Sequence, residues 1–224
     1  MFGTLVPNHG AVAARSVLSE MAERLGVSEG PFISMWQGAM WEGRATGRVG
    51  CAAECAAEIL HVLGVTAPAA VLEEVGAVYR RFVQGGLVPY PGVVETLSSI
   101  RARGVRVAVL TDCSTETADH WEFTALAPLV DATVFSCRAG FKKPHPRLFE
   151  LAREAVGAEA GRILYLGDGG ADELNGAVKA GMDAVQIIWK LEDDETARFV
   201  NRAAWSGATI SSIEQLVETI WPTT

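Results

Sequence analysis

From Val93 onward the sequence alternates between two periods, and this alternation restricts the possible folds more than any other feature. Val93, Val94, Leu97 and Ile100 recur at helical spacing, and Val105 to Leu110 is then a short apolar run of the kind found in a strand buried on both faces. The pattern continues with a helix from Thr115 to Ala125, a strand from Ala132 to Phe135, and a helix from Pro146 to Val156 ended by Gly157. A strand over Ile163 to Leu166, a helix running to Gly181 and a strand from Ala184 to Trp189 complete it. Serial αβ units of this kind pack as a parallel sheet with helices on both faces, so the expected class is α/β with a Rossmann-like, doubly wound core.

The first third of the chain follows a different rule. Ala14, Val17, Leu18, Met21, Ala22 and Leu25 form one amphipathic stripe. Further stripes follow over Phe32 to Met40, Ala52 to Leu63 and Val71 to Phe82, the last begun by Pro68. No convincing strand lies between Pro7 and Gly86, so a small helical bundle is expected there. Pro89, Pro91 and Gly92 then mark a hinge. The chain therefore divides into a core of residues 1–10 and 87–224 and an inserted all-helical unit of residues 11–86. The first core strand is missing, because Gly3-Thr4-Leu5 reads as a loop leaving a strand that nothing precedes.

Among 224 residues, 49% are hydrophobic and 21% charged, which describes an ordinary globular protein. The formal net charge of -8 argues against nucleic acid or an anionic membrane as the main partner. No apolar run approaches the roughly 18 residues of a membrane span, and no leader pattern is present. Four scattered cysteines do not form a disulfide framework, and the expected compartment is reducing and cytoplasmic. Cys51 and Cys55, one helical turn apart, read as buried thiols, since no second Cys or His pair completes a zinc set.

Chemistry-bearing residues gather at the carboxyl ends of the expected strands. Arg162 to Gly181 reads as strand, acidic glycine turn and helix, and its Asp168 and Asp172 are suited to a hard cation such as Mg2+. Asp172 also stands where a helix N-cap belongs. Val105 to Leu110 leads into Thr111-Asp112-Cys113-Ser114, where a hydroxyl and the turn's N–H groups can hold an oxyanion. Lys143, beside Pro144 and Pro146, places a cation on a backbone those prolines restrict. Taken singly, the acidic turn is as compatible with a structural role as with metal binding, and Thr111 and Lys143 are more often structural.

Together, these residues resemble the haloacid dehalogenase-like hydrolase superfamily, and the resemblance covers nearly all of the chain. Phe2-Gly3-Thr4-Leu5 matches the second half of the first motif, Asp-x-Asp-Gly-Thr-Leu. Thr111 matches the second-motif hydroxyl, Lys143 in Lys-Pro-x-Pro the third-motif lysine, and Gly167-Asp168 with Asp172 the acidic fourth motif. Members carry a helical cap inserted after the first motif, where residues 11–86 stand. The resemblance implies covalent catalysis by an aspartate, with an aspartyl intermediate later cleaved by water. Thr111, Ser114, Gly3 and Thr4 would then bind the transferring oxygens, Lys143 would hold the nucleophile and the phosphoryl group, and Asp168, Asp172 and the Phe2 carbonyl would hold Mg2+.

Two departures bear on substrate class. The nucleophile's position falls before Met1, so the native protein is expected to begin about ten residues earlier, the length of a strand and a short lead. Phe2 stands where phosphatases of the family carry the acid that protonates an alcohol leaving group, whereas their dehalogenase relatives carry an aromatic residue there. Magnesium-dependent, phosphoryl-type hydrolysis of a small anionic metabolite is the leading expectation. A 2-haloacid dehalogenase and a catalytically dead binding protein of the same fold are the alternatives. A receiver-type phosphoacceptor also uses Asp, Thr and Lys, but such domains lack a helical insertion. In the helical unit, Trp36 and Trp41 read as core. Arg44, in a loop between helices, is either a clamp for the anionic substrate or a solvated charge. The four histidines form no cluster and read as structural or surface residues.

Overall fold

The computed structural model describes residues 1–189 and 204–221. Residues 190–203 and 222–224 of the expected core lie outside the described residues. Five helices come first: α1 (Ala11–Leu25), α2 (Glu29–Gln37), α3 (Ala39–Ala45), α4 (Ala52–Val62) and α5 (Ala69–Gly85). Their apolar stripes close around one cluster that includes Met21, Phe32, Trp36, Ile59 and Val75, all nearly inaccessible. The single stripe read over Phe32 to Met40 is two helices. Gly38, with φ -94° and ψ -102°, breaks it and turns α3 away from α2.

The remaining order is α6 (Val93–Ala102), β1 (Ala108–Thr111), α7 (Thr115–His120), β2 (Ala132–Phe135), α8 (Ser136–Ala139), α9 (Pro146–Val156), β3 (Leu164–Gly167), α10 (Glu173–Lys179), β4 (Asp183–Ile187), β5 (Thr209–Ile210) and α11 (Gln215–Ile220). All strand pairs are parallel. Alternate residues of each strand face opposite layers. Val109, Phe135, Val185 and Ile187 pack with α6 and α11. Leu110 and Val134 pack on the other face with Leu148 and Phe149 of α9 and Ala177 of α10. The result is three layers.

Two expectations change in detail. The helix read from Thr115 to Ala125 stops at His120 and tightens into a 3-10 turn over Trp121–Phe123, because Trp121 is drawn into the core against Phe135. Strand β1 is shifted towards Thr111, since Val105 stays 37% exposed and outside the sheet. Helix α8 and strand β5 are too short to leave a periodic signal.

Among the described residues the strands form two sheets, β1-β2 and β3-β4-β5, and no strand joins β1 to β3. A single apolar cluster nevertheless runs across both, and Met1, Leu5 and Val6 belong to it. Residues 1–6 form a tight turn in which the Leu5 N–H donates to the Met1 carbonyl at 2.7 Å and the Gly3 N–H to the Val6 carbonyl at 2.8 Å. The Tyr90 N–H on the Leu5 carbonyl and the Trp189 indole N–H on the Thr4 carbonyl tie that turn to the core.

Candidate active site

The loops after β1 and β3 and the segment before α9 converge at the carboxyl edge of the strands, where an open α/β sheet places its ligands. Lys143 is the centre of the arrangement and is only 8% exposed. Its backbone N–H donates to Asp112 Oδ1 at 2.9 Å, and its Nζ donates to Glu173 Oε2 at 2.5 Å. Glu173 also accepts from the Tyr165 hydroxyl at 2.8 Å and from the Gly169 N–H at 3.1 Å. Burial pushes the Glu173 carboxyl up, but the Lys143 ammonium more than offsets this and holds it down to about 2. Burial likewise presses the Lys143 ammonium down, and Glu173 returns it well above the usual lysine range.

This pair has a defined pH window. The folded-state pKa of Glu173 lies below its ordinary 4.5, so its contribution is complete above that pH and is lost as pH falls towards about 2. Thermal unfolding followed from pH 6 to pH 2 should therefore show an acid loss of Tm that is smaller in Glu173→Gln, because the substituted amide does not titrate.

Asp168, 6% exposed, stands beside this pair. Its Oδ1 accepts from the Gly170 N–H at 3.0 Å, and the Asn8 amide reaches its Oδ2 only at 3.5 Å. Burial and the nearby Glu173 charge push its carboxyl above the usual range. Asp112 is pushed the same way by burial, with Lys143 opposing. Two carboxylates on one wall, each destabilised in its charged form, fit a hard cation that keeps several waters. Among the described residues no three acids, histidines or cysteines gather into a complete ligand set.

Gly3 is required here on two counts. Its φ is +66°, and a Cβ would overlap the Asp168 carboxylate. Gly3→Ala should displace Asp168 and lower stability by about 1 kcal/mol or more, from the left-handed strain alone, which denaturant unfolding measures.

A cavity of about 320 Å³ opens between the core and the helical unit. Asp112, Cys113, Ser114, Lys143 and Asp168 line it, and Phe2 and His9 from residues 1–10 with Trp41 and Tyr79 of the helical unit supply an aromatic wall. The two parts meet through Lys142 Nζ on Glu42 at 3.3 Å, and through Glu116 Oε1, which accepts the Ala52 N–H at 2.6 Å.

Several residues stand differently from expectation. Thr111 is buried at the end of β1, and its hydroxyl donates to the Asp112 carbonyl at 3.3 Å. The Cys113 N–H is taken up by Ser136 Oγ, so that turn amide is not an oxyanion donor. Thr4 is buried, and Ser114 is on the cavity wall. Asp172, expected to share a metal with Asp168, faces away, accepting from Asn175 at 2.6 Å with Lys179 at 4.0 Å. Ala171 and Asp172 both have φ 53°, and these two left-handed residues turn Asp172 outward and deliver Glu173 inward. Spacing alone does not separate the two acids; backbone conformation does.

Arg44 is neither a solvated loop charge nor a cavity-lining clamp. It lies within α3, 2% exposed, donating to the Tyr79 hydroxyl at 2.9 Å and the Trp36 carbonyl at 3.1 Å. Its guanidinium stands 4.4 Å over the Trp36 ring and within 5.5 Å of Trp41 and Tyr79, and its Nε has no hydrogen-bond partner. Arg44 thus braces the aromatic wall from behind. His9, Asp112 and Glu173 are the site residues that the sequence does not single out. His9 is packed between Phe2 and Phe82, and burial lowers its pKa, so the ring on the wall is neutral near pH 7. A lone histidine after the turn of residues 1–6 leaves no sequence signal for this placement.

Comparison with known proteins bears on the family and the fold. Glyceraldehyde 3-phosphate phosphatase of Methanocaldococcus jannaschii is 30% identical over 141 residues, covering 60% of this chain and 57% of that protein. Phosphoglycolate phosphatase of Caulobacter vibrioides is 34% identical over 126 residues, covering 51% and 52%. The chain thus spans a little over half the length of these curated relatives. A phosphatase structure from Thermococcus onnurineus superposes with a TM-score of 0.67 at 18% identity, covering 99% of this chain and 95% of that one. L-2-haloacid dehalogenase of Xanthobacter autotrophicus superposes with a TM-score of 0.63 at 17% identity, covering 100% and 96%. These two likenesses establish the fold. The family model for haloacid dehalogenase-like hydrolases matches residues 1–181, four-fifths of the chain, and with the ordered motifs at one sheet edge it makes this chain a member of that family.

Proposed function

We propose that this chain is the body of a magnesium-dependent, phosphoryl-type hydrolase acting on a small anionic metabolite with a good leaving group. In this reading residues 1–10 and 87–224 form the catalytic core and residues 11–86 the cap. The attacking group in this reading is the aspartate of the family's first motif, whose second half is Phe2-Gly3-Thr4-Leu5. The observation that carries the reading is the convergence of Lys143 and Asp168 on one cavity at the sheet edge. The relatives named as phosphatases of small phosphorylated compounds support it.

The roles follow from charge and burial. Lys143, held charged by Glu173, attracts the phosphoryl oxygens and the attacking carboxylate alike. Ser114 offers a hydroxyl to the same group. Asp168, with the Phe2 carbonyl, would hold Mg2+, which when bound supplies charge neutralisation during transfer. The aromatic wall packs the uncharged part of the substrate and excludes water. Phe2 carries no proton to give, so leaving groups that need one should be cleaved slower by about a hundredfold or more.

The test uses protein purified from its own cells, with intact mass establishing whether an aspartate precedes Phe2. Release of phosphate from an aryl or acyl phosphate, stopped by EDTA and far slower with an alkyl phosphate, is the expected result. Phe2 also favours a second reading, a 2-haloacid dehalogenase. Chloride release from a 2-haloacid, indifferent to EDTA, would establish that reading instead.

A further inference from the structure

Cys113 and Cys137 are both free and buried, and their Sγ atoms lie 3.9 Å apart. The arrangement follows from the sheet. Thr111 pairs with Phe135 across β1 and β2, and each cysteine lies two places beyond its member of that pair. Cys113 also lines the cavity, so this end of the pair borders the cleft, though the residue itself is only 2% exposed.

We propose that Cys113 and Cys137 form a reversible redox pair, oxidised by a small peroxide entering the cleft to a disulfide that ties the β1 loop to α8. One thiolate attacks the O–O bond of hydrogen peroxide, giving a sulfenic acid and hydroxide, and the hydroxide leaves as water with the thiol proton. The second thiol displaces the sulfenic oxygen as a second water and closes the S–S bond. Two electrons pass from the sulfurs to the peroxide, and a dithiol reverses the step by exchange. The sulfurs approach from 3.9 Å to about 2.0 Å. This movement draws in Cys113, the neighbour of Ser114 on the cavity wall. At the other end, a Cβ on Gly47 would overlap the Cys137 carbonyl, so the helical unit rests directly on the second cysteine. The link therefore forms where loop, cavity and helical unit meet. A transient, sensing disulfide of this kind is compatible with a reducing compartment.

The experiment treats the reduced protein with a small excess of hydrogen peroxide and maps its peptides without reduction. The proposal expects a 113–137 linked peptide as the main product, cleaved by dithiothreitol, with Cys51 and Cys55 still open to alkylation. Cys51→Ser, a change at the more accessible thiol, should leave the link intact. Cys137→Ser should lose it and drive Cys113 on to sulfinic acid. The wild-type map decides the matter even if that variant does not fold. Oxidation of Cys51 with Cys113 and Cys137 still alkylatable, a 51–55 link, or sulfinic acid at Cys113 without a link would each overturn the proposal.

Discussion

Lys143→Met should lower unfolding stability by about 3–5 kcal/mol, because it leaves the Glu173 carboxylate buried without its cation. The mutation removes the Nζ donor, while Tyr165 and Gly169 still hold the carboxylate in place, 2% exposed. Much of the loss should return in the double variant Lys143→Met/Glu173→Gln, whose amide is neutral and still accepts from Gly169. Urea unfolding of the wild type, the two single variants and the double variant gives the coupling energy directly. Near-additivity would contradict the geometry, since it would mean that the two groups do not meet in solution. The same variant should abolish phosphoryl chemistry, but recovery of stability without activity in the double variant separates the lysine's two roles.

Arg44→Ala carries the second large effect, an expected loss of about 2–5 kcal/mol from the emptied volume and stranded partners. The Tyr79 hydroxyl and Trp36 carbonyl lose their charged donor, and Trp36, Trp41 and Tyr79 lose the cation between them. Arg44→Met refills most of the space and should be milder, because a buried cation with an unpartnered Nε gives back desolvation when removed. Were Arg44 a direct clamp on the substrate, both variants would raise KM alike and leave stability unchanged. A support behind the wall gives the opposite pattern: Arg44→Ala loses Tm, and KM rises only as Trp41 and Tyr79 lose their positions.

The fold was legible because its signals are periodic. The stripe of α1 ends at Gly26 as read, and the later alternation of apolar runs and stripes marks out the parallel strands. The site was legible through the order of its motifs along the chain rather than through any one residue. Lys143 and Asp168 lie on the cavity, as their order along the chain implies. What the sequence hides is set by single backbone angles and by packing at a distance. Asp172 and Glu173 are adjacent acids, and two left-handed residues decide which enters the site. Arg44 looks like a loop cation until α3 and α5 enclose it, and His9 gains its place only from Phe2 and Phe82. Fixed spacing carries no trace of such contacts between distant segments.

Phosphate release from an aryl phosphate by protein from its own cells, measured with Mg2+ and again with EDTA, tests the central claim most directly. The account predicts turnover that needs the metal and is lost in both Lys143→Met and Asp168→Asn. Turnover that survives EDTA or persists in Asp168→Asn would contradict it.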